Sequence, residues 1–115
     1  MSDCIFCRIV SGEIPCSLVY QDDKVLAFKD INPLAPVHIL IIPKQHIESA
    51  QAINKNNAQI VADIFEKISD IAKEAGIADS GYRVISNVGK DGGQAVPHLH
   101  FHILGGRKLE VSLGQ

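Results

Sequence analysis

Three histidines stand at alternate positions near the end of the chain, at His98, His100 and His102. Successive side chains of a β-strand point to opposite faces, so the three imidazoles would share one face and the apolar residues between them the other. The Cα atoms of alternate residues lie about 7 Å apart, which is close enough for their side chains to surround one phosphate or share one metal ion. A solvent-facing strand without chemistry could carry the same pattern. The spacing favours a chemical face, because three of the five histidines lie here, directly after a glycine-rich turn.

That turn runs from Gly89 to Gln94 and contains three glycines. Glycine lets backbone amides approach and cradle a phosphate, since no Cβ stands in the way. The same composition is typical of a plain hairpin loop. Its position beside three imidazoles favours the phosphate-binding interpretation.

A second group with chemical potential is the pair Cys4 and Cys7 in a Cys-x-x-Cys arrangement; Cys16 is the third cysteine. An odd number of cysteines, two of them so spaced, fits a metal or thiol role in a reducing compartment better than a disulfide framework. A tetrahedral zinc site would need two further ligands, and the remaining candidates are His38, His46 and His98. Buried thiols and a redox pair are the alternatives, and Cys16 is interpreted as a small apolar residue.

Composition limits the class of protein. A chain of 115 residues with 46% hydrophobic content predicts a single domain over residues 1–115. A net charge of −2 and a pI near 6.2 argue against extended nucleic acid as a partner, while a single nucleotide remains compatible. The N-terminus has no signal-sequence pattern and no window is long and apolar enough to span a membrane, so we expect a cytoplasmic protein without a membrane partner.

The elements that must position these groups are short strands around one long helix. The helix is predicted to begin at a cap on Asn56 or Asn57 and to end at Gly76. Pro43 closes a continuous apolar run that is typical of a buried strand. The predicted strands are Leu18–Gln21 and Val25–Lys29 as a hairpin, His38–Ile42, Tyr82–Val88 and His98–Leu104. This order predicts an α+β fold, with an antiparallel sheet of about five strands, one long helix and one or two short helices.

The chain resembles the histidine-triad (HIT) family, in its Hint-like branch of nucleotide hydrolases. The resemblance is carried by the block Val88 to Gly106, in which histidines alternate with apolar residues. Further matches are Ile5-Phe6, Gly12-Glu13-Ile14-Pro15, Leu26-Ala27-Phe28-Lys29-Asp30-Ile31, Pro43-Lys44-Gln45-His46-Ile47 and Gly105-Gly106-Arg107. The similarity covers nearly the whole chain, so we expect a HIT-like fold.

The resemblance implies hydrolysis at the α-phosphorus of a purine nucleoside monophosphate that carries an amine or similar leaving group. His100 corresponds to the family's nucleophile, which forms a nucleotidyl-histidine intermediate. His102 would contact the phosphate and help to protonate the departing amine. His98 and His38 complete the catalytic set, with His38 expected beside the triad as a hydrogen-bonding group. No cofactor is implied for the chemistry itself.

Substrate contacts follow from the same resemblance. Asp30 matches the residue that binds the ribose hydroxyls, although an aspartate here is also typical of a turn. The apolar residues that match the base sandwich could equally be ordinary core residues; they are Phe6, Phe28 and Ile31. The positions that match the phosphate loop are Asn87, Gly93, Gln94, Ala95 and Val96. Many relatives have a serine at the position of Ala95, so one hydrogen bond to the phosphate or leaving group is missing here.

The resemblance also implies a metal and a partner. Some bacterial members bind zinc through residues that correspond to Cys4, Cys7, His46 and His98, and such a closed site would be structural. A homodimer is implied, in which the long helix and the strand Tyr82–Val88 pair across a twofold axis and extend the sheet. Three functions stay open: a nucleotide hydrolase, a nucleotide-binding regulatory or scaffold protein, and a catalytic zinc hydrolase whose triad holds the metal.

Overall fold

The strands form one antiparallel sheet in the order β1-β2-β3-β5-β4. The computed structural model describes residues 3–111. The elements are α1 Ile5–Val10, β1 Leu18–Gln21, β2 Val25–Lys29, β3 Val37–Pro43, a 3-10 turn at Ala50–Ala52, α2 Gln59–Glu74, β4 Tyr82–Ile85 and β5 Phe101–Gly105. The predicted α+β fold and the β1–β2 hairpin are confirmed.

Helices cover both faces of the sheet. The long helix α2 buries Ile64, Ile68 and Ile71 against one face, and α1 places Phe6 on the other face beside Leu40 of β3. A strand covered on both faces needs apolar residues at successive positions rather than at every second one. This explains the continuous apolar run in β3.

The last strand begins later than predicted. The sequence placed it at His98–Leu104, whereas β5 starts at Phe101, where pairing with Ile41 of β3 begins. The residues before Phe101 make hydrogen bonds to residues outside the strands instead. Leu99 N donates to Ile47 O at 2.6 Å, and Ser86 Oγ donates to His100 O at 2.8 Å. The alternation of faces nevertheless continues through this segment. Its apolar residues lie in the α2 core, and His100 contacts Phe6 on the opposite side.

Two further boundaries differ. The strand predicted at Tyr82–Val88 ends at Ile85, the residue opposite His102, because the chain there turns into the glycine-rich loop. The predicted asparagine cap of α2 is wrong: the helix begins at Gln59 after Ala58, which makes no side-chain cap hydrogen bond. The Asn57 side chain is used in the preceding turn, where Oδ1 accepts from Asn54 N and Nδ2 donates to Ala52 O.

The predicted end of α2 is confirmed. The helix stops at Ala75, and Gly76 follows with φ +77°, a left-handed conformation that glycine adopts without steric cost. Within residues 3–111, no helix combines the length and apolarity needed to cross a membrane.

Candidate active site and metal centre

His100, the middle histidine, is 5% exposed and has a defined tautomer. Its Nδ1 lies 2.7 Å from His98 O. A carbonyl oxygen can only accept, so Nδ1 carries the proton and donates it, and Nε2 holds the lone pair. Burial lowers the pKa of His100 below its ordinary value, which keeps the ring neutral near pH 7. A neutral imidazole with an oriented lone pair is a competent nucleophile.

A backbone amide fixes the tautomer of His102 through an intervening histidine. Leu34 N–H donates to His38 Nδ1 at 3.1 Å, so His38 carries its proton on Nε2. That Nε2 lies 3.0 Å from His102 Nδ1, which must then accept. The neutral His102 ring therefore carries its proton on Nε2. Its free edge presents a hydrogen-bond donor, in contrast to the lone pair of His100.

His102 and His38 are poorly basic. Burial, followed by the neighbouring His100 and His38, lowers the pKa of His102 to about 4. Burial also lowers the pKa of His38, while Asp30 acts in the opposite direction through Oδ2, 3.4 Å from His38 Nε2. Both rings are consequently neutral at pH 7.

Asp30, His38 and His102 bring one oxygen and two nitrogens within 4.8 Å of one another, a set of the kind that can hold a metal ion. The proton on His38 Nε2 argues against that use, because a ligating imidazole nitrogen must be unprotonated. We interpret the three side chains as a hydrogen-bonded chain.

The triad and the glycine-rich turn share a cavity of about 240 Å³. The turn contributes Gly92 and Gly93, and the triad contributes His100 and His102. The remaining lining residues are Leu34, His38, Ile85, Asn87, Ala95 and Leu104, of which Asn87 and Ala95 flank the turn. This cavity is large enough for a phosphate group and its immediate substituents.

The predicted base-binding residues differ in exposure. Phe6 is 6% exposed and Phe28 is 5% exposed, and their rings pack edge to face with centroids 5.7 Å apart. Ile31 is 91% exposed, which leaves nearly its whole side chain open to a ligand. The two phenylalanines thus serve mainly as core residues in this structure, while Ile31 does not.

Gln94 stabilises the glycine-rich turn through hydrogen bonds of its side chain and its backbone amide. Its Oε1 accepts from Gly89 N at 2.8 Å, and its Nε2 donates to Glu48 O at 2.8 Å and to Val96 O at 2.9 Å. Its backbone amide donates to Gly89 O, inside the turn. Gln94 therefore sets the shape of the turn, and Val96 packs against the Phe6 core.

The second cluster joins the N-terminus to the first triad histidine. His98 Nδ1 lies 3.2 Å from Cys4 Sγ, 3.6 Å from Cys7 Sγ and 3.2 Å from His46 Nδ1, and Cys7 Sγ lies 3.3 Å from His46 Nδ1. Tetrahedral zinc with bonds of about 2.0 to 2.3 Å separates its nitrogen and sulfur ligands by about 3.3 to 3.8 Å. The cluster matches these separations closely, so the four residues fit a zinc ion.

The tautomer of His98 is suited to the same purpose. His98 Nε2 donates to Pro43 O at 2.9 Å, which leaves the lone pair on Nδ1, the atom at the centre of the cluster. Burial lowers the pKa of His98, so the ring is neutral and can act as a ligand. Cys4 caps α1, and its Sγ accepts from Cys7 N at 3.3 Å, a contact that fixes the position of the sulfur.

A larger cavity of about 750 Å³ lies between α2 and the β1 side of the sheet. Apolar residues such as Val37 and Ile71 line it, and Asp30 and His38 connect it to the chain of hydrogen bonds described above. Neither His100 nor His102 lines this larger cavity, so the larger of the two cavities is not the one that contains the histidine chemistry.

Sequence reasoning missed the groups that set the tautomers. They are backbone atoms: the amide of Leu34 and the carbonyl oxygens of Pro43 and His98. Backbone groups leave no side-chain signal in a sequence. Arg107 belongs to the motif Gly105-Gly106-Arg107, which does not indicate a role for its side chain. In the structure, Arg107 donates to Leu34 O at 3.2 Å.

The comparisons with known proteins agree with this geometry. A protein-family model described as the HIT domain matches residues 11–109. The purine nucleoside phosphoramidase of Escherichia coli strain K12 is 47% identical over 105 residues, covering 91% of this chain and 88% of that protein. A HIT family hydrolase from Clostridium thermocellum superposes with a TM-score of 0.95 at 48% identity. A histidine triad protein from Clostridium difficile superposes with a TM-score of 0.94 at 53% identity. For each of these two solved structures, the superposition covers 98% of this chain and 98% of the other chain.

Proposed function

Because this chain belongs to the HIT domain family and is a HIT family hydrolase, we propose that it cleaves purine nucleoside 5'-phosphoramidates, or related nucleoside monophosphate conjugates, at the α-phosphorus. One relative with nearly the same length carries the name purine nucleoside phosphoramidase. The observation that carries the proposal is the hydrogen bond from His100 Nδ1 to His98 O, because it leaves the lone pair on Nε2 of a residue that lines a cavity of phosphate size.

His100 acts as the nucleophile. Its Nε2 attacks the α-phosphorus, a P–N bond to the imidazole forms, and the bond to the leaving amine breaks as its electron pair moves to the amine nitrogen. The attacking ring becomes positively charged, and the hydrogen bond from Nδ1 to His98 O strengthens as that charge develops. Water then attacks the phosphorus, releases the nucleoside monophosphate and restores the imidazole.

His102 supports the same step from its donor edge. Its Nε2–H hydrogen-bonds a phosphate oxygen or the leaving nitrogen. A bound anionic phosphate favours the protonated ring and so raises the pKa of His102 from about 4. When substrate is present, the added proton takes His102 Nδ1 in place of the hydrogen bond from His38 Nε2, and the departing amine receives the proton of His102 Nε2. The water that attacks next returns a proton to Nε2.

Asp30, Ile31 and the glycine-rich turn hold the nucleotide in this proposal. Asp30 is kept in place by Asn32 N, which donates to Oδ1 at 2.7 Å, and its carboxylate can accept from ribose hydroxyls. Ile31 covers the base together with the edges of Phe6 and Phe28. Asn87 lies at the phosphate end, where its Nδ2 donates to Gly92 O at 2.8 Å.

We further propose that the cluster of Cys4, Cys7, His46 and His98 holds a structural zinc ion. Bound there, the metal supplies folding energy rather than a step of the reaction. The four side chains join α1, the loop after β3 and the segment before β5. His100 and His102 lie outside the cluster and keep their own partners.

The test is release of AMP from adenosine 5'-phosphoramidate, measured with and without a chelator. We expect turnover that persists during a short exposure to chelator. Asp30→Asn should raise KM about tenfold and change kcat less than about threefold, since ribose contacts act alike in the ground and transition states. Asp23→Asn, in the exposed β1–β2 turn, is the matched control and should behave as wild type.

Other outcomes would contradict this function. Tight AMP binding without turnover would identify a regulatory or scaffold protein. Immediate loss of turnover on chelation, with the fold retained, would identify a catalytic zinc hydrolase. A drop in kcat with an unchanged KM in Asp30→Asn would remove Asp30 from ribose binding.

We also propose a homodimer that pairs β4 and α2 across a twofold axis. Among residues 3–111, β4 is an edge strand of the sheet, and both elements expose an aromatic residue: Tyr82 of β4 is 36% exposed and Phe65 of α2 is 46% exposed. An edge strand and a helix that expose aromatic residues are typical of an interface.

Sedimentation velocity should therefore give twice the chain mass of 12.5 kDa. Phe65→Glu should shift the protein towards monomer, because it places a charge in the apolar contact. Leu18→Glu is the control, since Leu18 is 51% exposed on β1, at the opposite edge of the sheet. A wild-type monomer at micromolar concentration, or equal effects of the two variants, would contradict this interface.

A further inference from the structure

Arg107 lies just after β5 and donates two hydrogen bonds to backbone carbonyls. Its Nη2 reaches Leu34 O at 3.2 Å, and its Nη1 reaches Lys108 O at 2.9 Å. We propose that Arg107 is a positioning residue for His102, which acts through Leu34 and His38 rather than by touching the nucleotide. The proposal rests on the function proposed above, in which His102 presents Nε2–H to the substrate.

The path from Arg107 to His102 consists of three successive contacts. Arg107 holds the carbonyl of Leu34, and the amide of the same residue donates to His38 Nδ1 at 3.1 Å. His38 Nε2 then lies 3.0 Å from His102 Nδ1. Leu34 lies in the loop between β2 and β3 and is 59% exposed, so packing of its own side chain does little to fix its backbone. A loop residue with so little side-chain packing needs another restraint if its amide is to stay aimed at an imidazole.

Local packing brings the arginine to this loop. Gly106 has φ +97°, and a Cβ built there would lie 2.8 Å from Pro36 Cβ. The chain after β5 thus runs directly against the loop between β2 and β3, a contact that only glycine permits. The next residue, Arg107, is therefore placed where its guanidinium reaches Leu34.

Loss of this restraint has a specific chemical consequence. When the Leu34 amide moves away, His38 Nδ1 loses the donor that keeps it unprotonated. Asp30 Oδ2, 3.4 Å from His38 Nε2, still favours the proton on Nε2, so the second neutral tautomer of His38 gains population without replacing the first. With the proton on His38 Nδ1, Nε2 accepts from His102 Nδ1–H, and His102 then presents a lone pair where the phosphate needs a donor. A residue that only stabilised the fold would not reverse this tautomer.

The experiment compares Arg107→Ala, Arg107→Lys and Arg83→Ala by imidazole ¹⁵N NMR and by kinetics. Arg83, a half-buried residue of β4, is the control, because its Nη2 also donates to a backbone carbonyl, Glu110 O, at 2.9 Å. In wild type, the ¹⁵N shifts should show His38 and His102 protonated on Nε2. Arg107→Ala should show mixed tautomers at both rings, with kcat about tenfold lower and KM within about twofold. Arg107→Lys should retain most of kcat, and Arg83→Ala should resemble wild type.

The outcomes separate the two proposals. Unchanged tautomers in Arg107→Ala overturn the positioning role, whether or not the melting temperature falls. A large rise in KM with normal tautomers also overturns it, because it would mean that Arg107 binds the nucleotide directly. If wild type does not cleave the phosphoramidate, the proposed function fails, while the tautomers alone still decide the role of Arg107.

Discussion

Replacing His100 by alanine is expected to lower kcat for adenosine 5'-phosphoramidate by at least about a thousandfold, as is usual for loss of a covalent nucleophile. The fold should persist, because the neighbouring core residues Leu99 and Phe101 face α2 and are untouched. Rapid quenching with an alkaline denaturant, which preserves the acid-labile P–N bond, followed by mass spectrometry should detect a nucleotidyl adduct on wild type and none on the variant. Circular dichroism would verify that the variant is folded.

Chemical rescue provides the control for this variant. His100→Gly leaves space for a free imidazole, so added imidazole should restore part of the turnover by supplying the missing nitrogen. Unimpaired turnover in His100→Ala, or an adduct located on another residue, would remove His100 as the nucleophile. In either case, the pocket and its tautomers would need a different chemical interpretation.

The second large effect is expected at the metal cluster. Purified wild type should contain about one zinc ion per chain, and Cys4→Ser should lose it, with a melting temperature about 10 °C lower or more, because the binding energy of a structural metal is also folding energy. Elemental analysis and thermal unfolding measure the two quantities. Cys16→Ser is the matched control, since Cys16 is exposed and lies outside the cluster. The folded fraction of Cys4→Ser should retain activity.

The catalytic zinc hypothesis makes the opposite prediction. If the triad held the metal, His100→Ala would release zinc and Cys4→Ser would keep it. Metal analysis of the two variants therefore distinguishes the hypotheses. Wild type purified without chelator and found free of zinc would remove the structural site while leaving the histidine chemistry intact.

The alternation of histidines predicted the division between chemical and core faces, and the apolar run predicted the buried strand β3. The start of β5 was not predictable from the same residues. The strand begins at Phe101 because the pairing of β3 with β5 ends at the pair Ile41–Phe101, and pairing between distant segments is a property of the fold. Local propensity also failed at Asn57, whose side chain serves the turn before α2 instead of the helix.

The candidate site was predictable in its residue types and not in its protonation. The sequence placed His38 beside the triad and grouped Cys4, Cys7, His46 and His98, and the structure brings both sets together. Which nitrogen of each ring carries the proton depends on carbonyl and amide groups of Leu34, Pro43 and His98, and these are identical in every amino acid except for the missing amide of proline. The short helix α1, which places Cys4 at its N-cap, was likewise not located from the sequence.

His98 contributes to two sites, to one through its side chain and to the other through its backbone. Its ring lies in the cysteine cluster, and its carbonyl oxygen accepts from His100. For a protein engineer, the side chain at residue 98 can therefore be exchanged to empty the cysteine cluster of its imidazole, while the carbonyl that accepts from His100 is supplied by any amino acid. A lineage that lost all four side chains of the cluster by drift would still inherit the backbone oxygen that orients His100.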